Sequence, residues 1–378
     1  SMNRIYRLIW DPIQQQVVVV SEKAKARGKQ GRIVGAVMAA GLMSQGAWAS
    51  AVAAFDPVQA GMTGVAPQRV AMAVSSALPA NTLPQNGTVT VGEVTINSAG
   101  NVMNIEQATQ RGAINWHSFS VGSDATVNFL QPNSSAVTLN RVVGHERSVI
   151  DGAINANGQV WILNSHGVLF NRDAQVNVGS LIATTLEMSD ADFASGSTTF
   201  EAGSGRGSII NLGTLQAADA GYIALLGQQV ANEGIIHARL GTAMLAAADK
   251  LTLNFNGDSL VGVTIERGTL QALVENKQAI IADGGLVTLT AKGLDEVMRT
   301  VVNNTGEIRA QTIQNKEGRI FLLGGMENDR IEVAGKLDAS APESGNGGFI
   351  ETSAANVQIN DVNVTTLSVH GETGTWLI

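Results

Sequence analysis

The stretch Gly158-Gln-Val-Trp-Ile-Leu-Asn-Ser-His-Gly-Val-Leu-Phe170 decides the fold of this chain. A short polar segment, Asn164-Ser-His-Gly167, divides it into two halves. In both halves apolar side chains occupy the even positions, namely Val160, Ile162, Val168 and Phe170. Alternation of this kind is typical of β-strands, and Asn, Ser and Gly are turn-forming residues. The stretch therefore predicts two short strands joined by a turn, with the even side chains facing inward.

A five-residue phrase, Gly-x-Leu/Ile-x-Ala, recurs in the second half of the chain. Its copies are Gly213-Thr-Leu-Gln-Ala217, Gly234-Ile-Ile-His-Ala238, Gly268-Thr-Leu-Gln-Ala272, Gly306-Glu-Ile-Arg-Ala310 and Gly335-Lys-Leu-Asp-Ala339. Asparagine stands two residues ahead of three of these glycines, at Asn211, Asn232 and Asn304. The first spacing between copies is 21 residues, and the later spacings of 34, 38 and 29 predict insertions between repeats.

A second phrase, glycine followed by alternating apolar residues, comes after each copy of the first. Its copies are Gly221-Tyr-Ile-Ala-Leu225, Gly241-Thr-Ala-Met-Leu245, Gly285-Leu-Val-Thr-Leu289, Gly318-Arg-Ile-Phe-Leu322 and Gly348-Phe-Ile-Glu-Thr352. A repeat of about twenty residues with two or three short strands is typical of one coil of a parallel β-helix. We therefore predict an all-β chain that forms a right-handed parallel β-helix with hairpin insertions. A β-sandwich is the structural alternative, but its strands would lack this repetition.

The asparagines of the first phrase are predicted to lie at corners of the coils. There each amide can bond the turn backbone and stack on the asparagine of the next coil. Glycine suits the same corners because it adopts a positive φ without steric cost.

The two ends of a solenoid expose strand edges that can pair with other chains. Residues 81–112 are predicted to cover the amino-terminal end as a β cap, and Val89 to Ile96 predicts a hairpin with Gly92 in its turn. The carboxy-terminal end shows no cap, since the sequence stops in the middle of the pattern at Gly374-Thr-Trp-Leu-Ile378. We expect a fragment of a larger protein.

The sequence predicts four segments. Residues 1–49 form a leader, and residues 50–80, rich in small residues, form a loosely ordered start of the mature chain. The main β-helix domain covers residues 81–310, and residues 311–378 add further coils.

The leader has the layout of a secretory signal peptide. Basic residues are frequent from Met2 to Arg32, an apolar run follows from Ile33 to Met43, and Ala47-Trp-Ala49 has the small-x-small form of a cleavage site. We predict cleavage between Ala49 and Ser50, with Ala53 or Ala54 as the second choice. The apolar run is shorter than the roughly 20 residues that span a bilayer. An amphipathic or buried helix is the alternative. Met2 is the expected initiator, and Ser1 is expected to be left over from expression cloning.

Charge and cysteine content limit the classes of function. The net charge is −8, and it becomes −13 once the leader, with seven basic and two acidic residues, is removed. An acidic chain is not expected to bind nucleic acid, which requires clustered positive charge. The sequence has no cysteine, which excludes a thiol nucleophile and disulfides, but a chain of this length can bury a core without them.

Four segments in order carry a resemblance to a known family. They are Asn115–Gly122, Val127–Val142, Gly158–Phe170 and Val176–Thr185. This order resembles the amino-terminal secretion domain of two-partner secretion exoproteins, the filamentous-haemagglutinin-like family. The long charged leader likewise resembles the extended signal region of large Gram-negative exoproteins.

The resemblance implies the secretion domain of a large adhesin, secreted or held at the cell surface of a Gram-negative bacterium. The partners that it implies are the Sec machinery, signal peptidase, and an outer-membrane transporter with periplasmic POTRA domains. The chain would cross the transporter unfolded and fold outside, where a host-cell or polysaccharide receptor is possible. No cofactor, metal or enzymatic activity is implied.

The resemblance also assigns transporter recognition to residues of its two motifs. These residues are Asn128, Gln131, Pro132, Asn133, Asn140, Arg141, Val142, Asn164 and Gly167. The second motif of the family usually reads Asn-Pro-Asn-Gly, and here it reads Asn164-Ser-His-Gly167. The departure argues against direct contact between the transporter and the middle two residues, Ser165 and His166, whereas the turn itself is still expected.

Alternatives from other classes remain open. The same secretion domain occurs on cytolysins, contact-dependent toxins and haem-acquisition exoproteins, and only sequence beyond residue 378 discriminates among them. Carboxylates cluster at Glu187 to Asp192 and at Asp338 and Glu343. Such clusters suggest a β-helix polysaccharide lyase or hydrolase as an alternative, because these enzymes use carboxylates to bind calcium or for acid–base catalysis. A solvated loop is the favoured interpretation of such clusters. None of the five histidines has His-x-x-x-His spacing, and His166 is expected to be a turn residue.

Overall fold

A computed structural model describes residues 6–11, 16–21, 70, 78–255, 260–294 and 296–378. The predicted cleavage site at Ala47, Ala49 and Ser50 lies outside the described residues, as does most of the segment 50–80. Within the described part, the regular structure consists of β-strands and one short helix, α1 (Asp190–Ser195). None of the helical structure in that part is long and apolar enough to cross a membrane.

The strands are numbered in chain order. The first group is β1 (Tyr6–Asp11), β2 (Gln16–Ser21), β3 (Thr88–Val91), β4 (Val94–Ala99), β5 (Val102–Gln107), β6 (Arg111–Trp116), β7 (Thr126–Leu130), β8 (Val137–Val142), β9 (Ser148–Ile150), β10 (Ala153–Ala156) and β11 (Gln159–Leu163). The second group is β12 (Val168–Phe170), β13 (Gln175–Val178), β14 (Ser180–Thr184), β15 (Thr199–Glu201), β16 (Ile209–Asn211), β17 (Thr214–Ala217), β18 (Tyr222–Gly227), β19 (Gln229–Asn232), β20 (Ile235–His237), β21 (Thr242–Ala247) and β22 (Lys250–Phe255). The third group is β23 (Val261–Arg267), β24 (Leu273–Asn276), β25 (Ala279–Ile281), β26 (Leu286–Ala291), β27 (Arg299–Asn304), β28 (Glu307–Arg309), β29 (Arg319–Leu323), β30 (Asp329–Asp338), β31 (Phe349–Ser353), β32 (Asn356–Thr365) and β33 (Thr375–Leu377).

The chain winds into a parallel β-helix with three faces. Face A is an eleven-stranded sheet in the order β3-β6-β8-β11-β14-β18-β21-β26-β29-β31-β33. Face B contains β9, β12, β16, β19, β24 and β27, and face C contains β5, β7, β10, β13, β17, β20, β25 and β28. The long strands β30 and β32 continue across faces B and C. The predicted parallel β-helix is therefore confirmed.

The interior is an apolar column of side chains stacked from coil to coil. The inward-facing residues predicted from the deciding stretch belong to it, and Val160, Ile162, Val168 and Phe170 are at most 1% exposed. Each pairs in parallel register with strands of the neighbouring coils, as Val160 does with Leu181. The turn between the two predicted strands is a corner between faces A and B, because β11 and β12 belong to different faces.

The second repeated phrase marks consecutive strands of face A. Its five copies lie on β18, β21, β26, β29 and β31, which are neighbours in that order. The first phrase marks face C in four of its five copies. Gly268-Thr-Leu-Gln-Ala272 is the exception, because Leu270 is exposed and Thr269 only bridges Gly293. Gln278-Ala-Ile-Ile-Ala282 takes its place, with Ile280 between Ile236 and Ile308. The assignment of the third copy was wrong because this coil has lost the marker glycine.

The corner asparagines form a buried ladder along the solenoid. The side-chain amide of Asn211 donates to Asn232 at 2.8 Å, Asn232 to Asn276 at 2.9 Å, and Asn276 to Asn304 at 2.8 Å. Each also bonds nearby backbone, as Asn211 does with the amide and carbonyl of Gly213. The predicted stacking is confirmed, with Asn276 as a member that the phrase search missed.

Two insertions lengthen the chain between neighbouring strands of face A. Register partners Ile223 and Ala243 on face A are 20 residues apart, whereas Leu181 and Ile223 are 42 apart and Ala243 and Val287 are 44 apart. The extra residues form α1 and the antiparallel sheet β15-β22-β23. These elements pack on the outer side of face A and bury its outward-facing residues, including Trp161 and Leu163. The predicted hairpin insertion is thus observed, together with a second apolar cluster outside the coil.

Antiparallel strands cap the amino-terminal end, as predicted. β3 pairs with β6 on face A, and β4 pairs with β5 on face C. The hairpin predicted for Val89 to Ile96 was wrong, because β3 and β4 do not pair with each other. Gly92, at φ +76°, turns the chain from one face to the next, and the hairpin is β4-β5 with Gly100 in its turn. Each cap strand instead covers an edge of the first coil.

Candidate functional site

The nine motif residues do not form one surface. Asn128 to Asn133 lie at the end of β7 and at the corner from face C to face A. The residues Asn140 to Val142 end β8, and Asn164 to Gly167 form the next corner of face A. We call Asn128 to Asn133 the first motif corner, and Asn140 to Val142 together with Asn164 to Gly167 the second motif corner. The two corners sit on opposite edges of face A.

Gln131 is the centre of the first motif corner, and its side chain is 7% exposed. Its amide nitrogen donates to the Gln159 carbonyl at 2.8 Å and to Thr138 Oγ1 at 3.0 Å. Its amide oxygen accepts from the backbone of Gly158 at 2.9 Å. Both ends of the amide are therefore occupied by partners in its own coil and in the next coil.

The other residues of this corner are more accessible. Pro132 and Asn133 are exposed, and Asn133 exchanges hydrogen bonds with the Gln110 side chain. Asn128 is half-buried on the outer side of face C, between Asn104 and Asn155. Accessible and structural residues thus alternate within one predicted motif.

Asn140, in the second motif corner, is fully buried. Its side-chain oxygen accepts from Trp116 Nε1 at 3.0 Å, and its nitrogen donates to the carbonyls of Thr138 and Trp161 at 3.3 Å. The residue joins three coils through one amide, and it is not accessible in the folded chain.

Arg141 points outward from the same strand toward the insertion. Its guanidinium donates to Asp190 Oδ1, to the Met188 carbonyl and to Asn115 Oδ1, each at 2.7 Å. Asp190 begins α1, and Ser189 caps that helix by accepting from the Asp192 amide. The carboxylates interpreted as a solvated loop therefore belong to a capped helix and an ion pair.

Asn164 holds the second corner closed. It is 1% exposed, and its side-chain nitrogen lies 3.0 Å from both the Glu146 carbonyl and Ser148 Oγ. Its side-chain oxygen accepts from the His166 amide at 2.9 Å. Gly167 leaves the corner at φ +110°, where an added Cβ would meet the Ser208 carbonyl at 2.9 Å. The corner needs asparagine at its start and glycine at its end.

Ser165 and His166, the two residues that depart from the family motif, are the outermost part of this corner. His166 is exposed, and its ring lies edge-on to the exposed His145 of the preceding coil, with ring centroids 5.7 Å apart. In the part of the chain that the structure describes, no group of three or more His, Asp or Glu is arranged to hold a metal ion.

A cleft of about 690 Å³ lies between the second motif corner and the insertion. Arg141, Val142 and Ser165 line one side, and Met188 and Lys250 line the other. Glu201 also lines it, and its pKa lies below the usual value because Arg267 and Lys250 hydrogen-bond and attract the carboxylate. Sequence reasoning missed this side of the site, since only the fold brings the insertion against the motif.

The comparisons with known proteins agree with this fold. The family described as "TPS secretion domain" matches residues 78–339, and the family described as "Extended Signal Peptide of Type V secretion system" matches residues 2–50. The crystal structure of the HMW1 secretion domain from Haemophilus influenzae has a TM-score of 0.67 and 26% identity, covering 76% of this chain and 74% of that chain.

Two curated relatives, each named Heme/hemopexin-binding protein and both from Haemophilus influenzae, are similar in sequence. One is 36% identical over 268 residues, which cover 68% of this chain and 29% of the relative. The other is 31% identical over 315 residues, which cover 77% of this chain and 32% of the relative. The chain therefore spans about a third of the length of these relatives.

Together, the β-helix and the leader define a secretion domain preceded by an extended signal peptide. The chain belongs to the two-partner secretion exoproteins. It is a secreted exoprotein of a Gram-negative bacterium that passes through the periplasm and the outer membrane, and its family implies an outer-membrane transporter as partner.

Proposed function

We propose that the transporter recognises the two motif corners before they fold, and that folding outside the cell withdraws them. The observation that carries this proposal is the burial of Gln131, Asn140 and Asn164, whose amides are bonded inside the coil. A buried amide with its partners in place offers no free donor or acceptor to another protein. In the unfolded chain the same amides are available.

The periplasmic POTRA domains of the transporter would make these contacts. They would bind Asn128 to Val142 and Asn164 to Gly167 as extended segments, and Ser165 and His166 would contribute less than the two ends of their motif. Once outside, each coil needs only its neighbour for stability, so coils can add one after another. The free energy of folding then opposes return of the chain.

Binding to the isolated periplasmic domains of the transporter tests the proposal. The chain is diluted from urea onto immobilised domains, and a second sample is refolded before it is applied. We expect the unfolded chain to bind and binding to be lost at the rate at which β-structure forms. Binding of the refolded chain at equal strength, or no binding in either state, would contradict the proposal.

Asn304→Ala is the matched control for Asn164→Ala in this experiment. Both residues are buried corner asparagines, but Asn304 lies outside the motifs. Recognition predicts weaker binding of the unfolded Asn164→Ala chain and unchanged binding of Asn304→Ala. Equal binding of the two variants would show that Asn164 acts only in the fold.

The activity of the whole exoprotein is a separate proposal. An adhesin is the first candidate, and the names of the two curated relatives favour a second, an exoprotein that binds haem or hemopexin. We infer that the secretion domain itself has no enzymatic role. Hemopexin capture by the full-length exoprotein, compared with capture by this chain alone, tests the second candidate. The second candidate predicts that the full-length exoprotein binds hemopexin and that this chain alone does not.

A further inference from the structure

Five side-chain amides form a straight column on the outer side of face C. Successive register partners on neighbouring strands are Asn104, Asn128, Asn155, Asn177 and Gln216. Neighbouring strands are about 4.8 Å apart, so the column extends over about 19 Å along the axis of the solenoid. We call this column the amide stripe.

The amide stripe differs from the buried ladder in its unused hydrogen-bonding capacity. Asn155 donates to Asn128 at 3.1 Å and Asn128 to Asn104 at 3.0 Å, but these amides make no further bonds to the described part of the protein. The side chains of Asn177 and Gln216 make none there. Since each primary amide has two donor hydrogens and two acceptor lone pairs, at least one of each per residue faces solvent.

The stripe lies in two shallow grooves that join end to end. Their volumes are about 590 and 290 Å³, and both are lined by Ala156, Asn157 and Asn177. Among the described residues that line them, none carries a charge. At one end Leu130 is 51% exposed and adds an apolar contact. A protein of net charge −8 thus presents a long, uncharged and strongly polar groove.

We propose that the amide stripe binds a neutral polysaccharide that lies along the solenoid axis. Sugar hydroxyls donate and accept hydrogen bonds, as the free groups of each amide do, and a polymer can meet several amides of a regular column at once. Single hydrogen bonds of this kind are weak in water, but a polymer adds them through multivalency. This inference goes beyond secretion and does not depend on the mode of transporter recognition.

The composition of the groove disfavours other ligands. Acidic polymers bind clustered Lys and Arg, and the lining has neither. Protein partners usually insert aromatic or apolar anchors into pockets, and here the aromatic side chain, Phe129, is buried in the core. An uncharged polymer rich in hydroxyl groups fits the uncharged, amide-lined groove.

Affinity electrophoresis of the secreted protein tests the proposal. Native gels contain dextran, amylopectin, glucomannan or galactomannan, and a parallel gel contains anionic alginate. We expect at least one neutral polymer to retard the protein. The Asn177→Ala/Gln216→Ala double variant should bind that polymer about tenfold more weakly, because two amides are removed. This variant loses no protein hydrogen bond, so its melting temperature should match the parent.

Gln358→Ala is the control, since Gln358 is an exposed amide on β32, far along the solenoid from the stripe. It should bind like the parent. The proposal is overturned if none of the four neutral polymers retards the protein, if alginate alone does so, or if the double variant binds like Gln358→Ala.

Discussion

The guanidinium of Arg141 lies 2.7 Å from the carboxylate of Asp190, which is 49 residues further along the chain. The same guanidinium reaches the Met188 carbonyl and the Asn115 side chain. One residue of a predicted recognition motif therefore joins two coils to the start of α1. Its role in the folded chain is to position the insertion on the outer side of face A.

Arg141→Ala should loosen the insertion without unfolding the coils. The expected loss of stability is about 1–2 kcal/mol, because the lost bonds are charge-assisted but partly exposed. Hydrogen exchange should accelerate in residues 186–196, including the Phe193 amide that bonds the Ser189 carbonyl. Arg239→Ala, which breaks the exposed ion pair with Asp219, should change stability by less than about 0.5 kcal/mol. Unchanged exchange in Arg141→Ala would contradict this role.

Ile162→Asp should destabilise the chain by several kcal/mol. The substitution places an unpaired carboxylate in a fully buried column, and such a charge has no partner to offset its desolvation. Gln175→Asp, on the exposed side of β13, is the control and should melt like the parent. Urea denaturation of the three proteins measures the difference. A parent-like midpoint for Ile162→Asp would show that this side chain does not face the core.

The buried asparagine ladder should contribute more to the stability of the fold than the amide stripe does. Asn232→Ala removes amide bonds to Asn211, Asn276 and nearby backbone in a dry corner, so we expect a loss of about 2–4 kcal/mol. Asn155→Ala removes one amide bond on a solvated face and should cost less than about 1 kcal/mol. The denaturant midpoints of both variants measure these losses of stability. Equal losses would contradict the distinction between the buried ladder and the amide stripe.

His237 should make the fold weaker in acid. Its pKa lies below the ordinary value because burial, and then the charge of Arg309, disfavour the imidazolium, although Asp283 acts in the opposite direction. The unfolded chain therefore takes up the proton first as the pH falls, and the fold loses stability below about pH 6.5. His237→Gln should lose less stability than the parent between about pH 7 and pH 5. Identical losses in both proteins would exclude this contribution.

The sequence predicts the coil because its physical signals are local. Alternating apolar residues from Val160 to Phe170, the glycine phrases of face A and the corner asparagines each need only a few neighbours to be recognised. At the turn predicted between Asn164 and Gly167, the Asn164 amide bonds the backbone and Gly167 has a positive φ.

The contacts outside the coil could not be predicted in the same way. Arg141 meets Asp190 only because an insertion folds back over face A, and no spacing in the sequence encodes that return. One signal was present, since Trp161 and Leu163 make the odd positions apolar as well, which is typical of strands buried on both sides. The hairpin error at Gly92 has a related cause, because a turn residue predicts a reversal but not which strands pair.

Secretion through the partner transporter tests the central claim most directly. The chain is co-expressed with its outer-membrane transporter, and secreted and periplasmic protein are compared for Asn164→Ala, Ser165→Ala, His166→Ala and Asn304→Ala. Asn164→Ala should cost about 1–2 kcal/mol of local stability and keep the global fold. We predict that its secreted fraction falls well below that of Asn304→Ala, while Ser165→Ala and His166→Ala stay near the parent. Normal export of Asn164→Ala, with its stability reduced, would contradict recognition at this corner and leave Asn164 a purely structural residue.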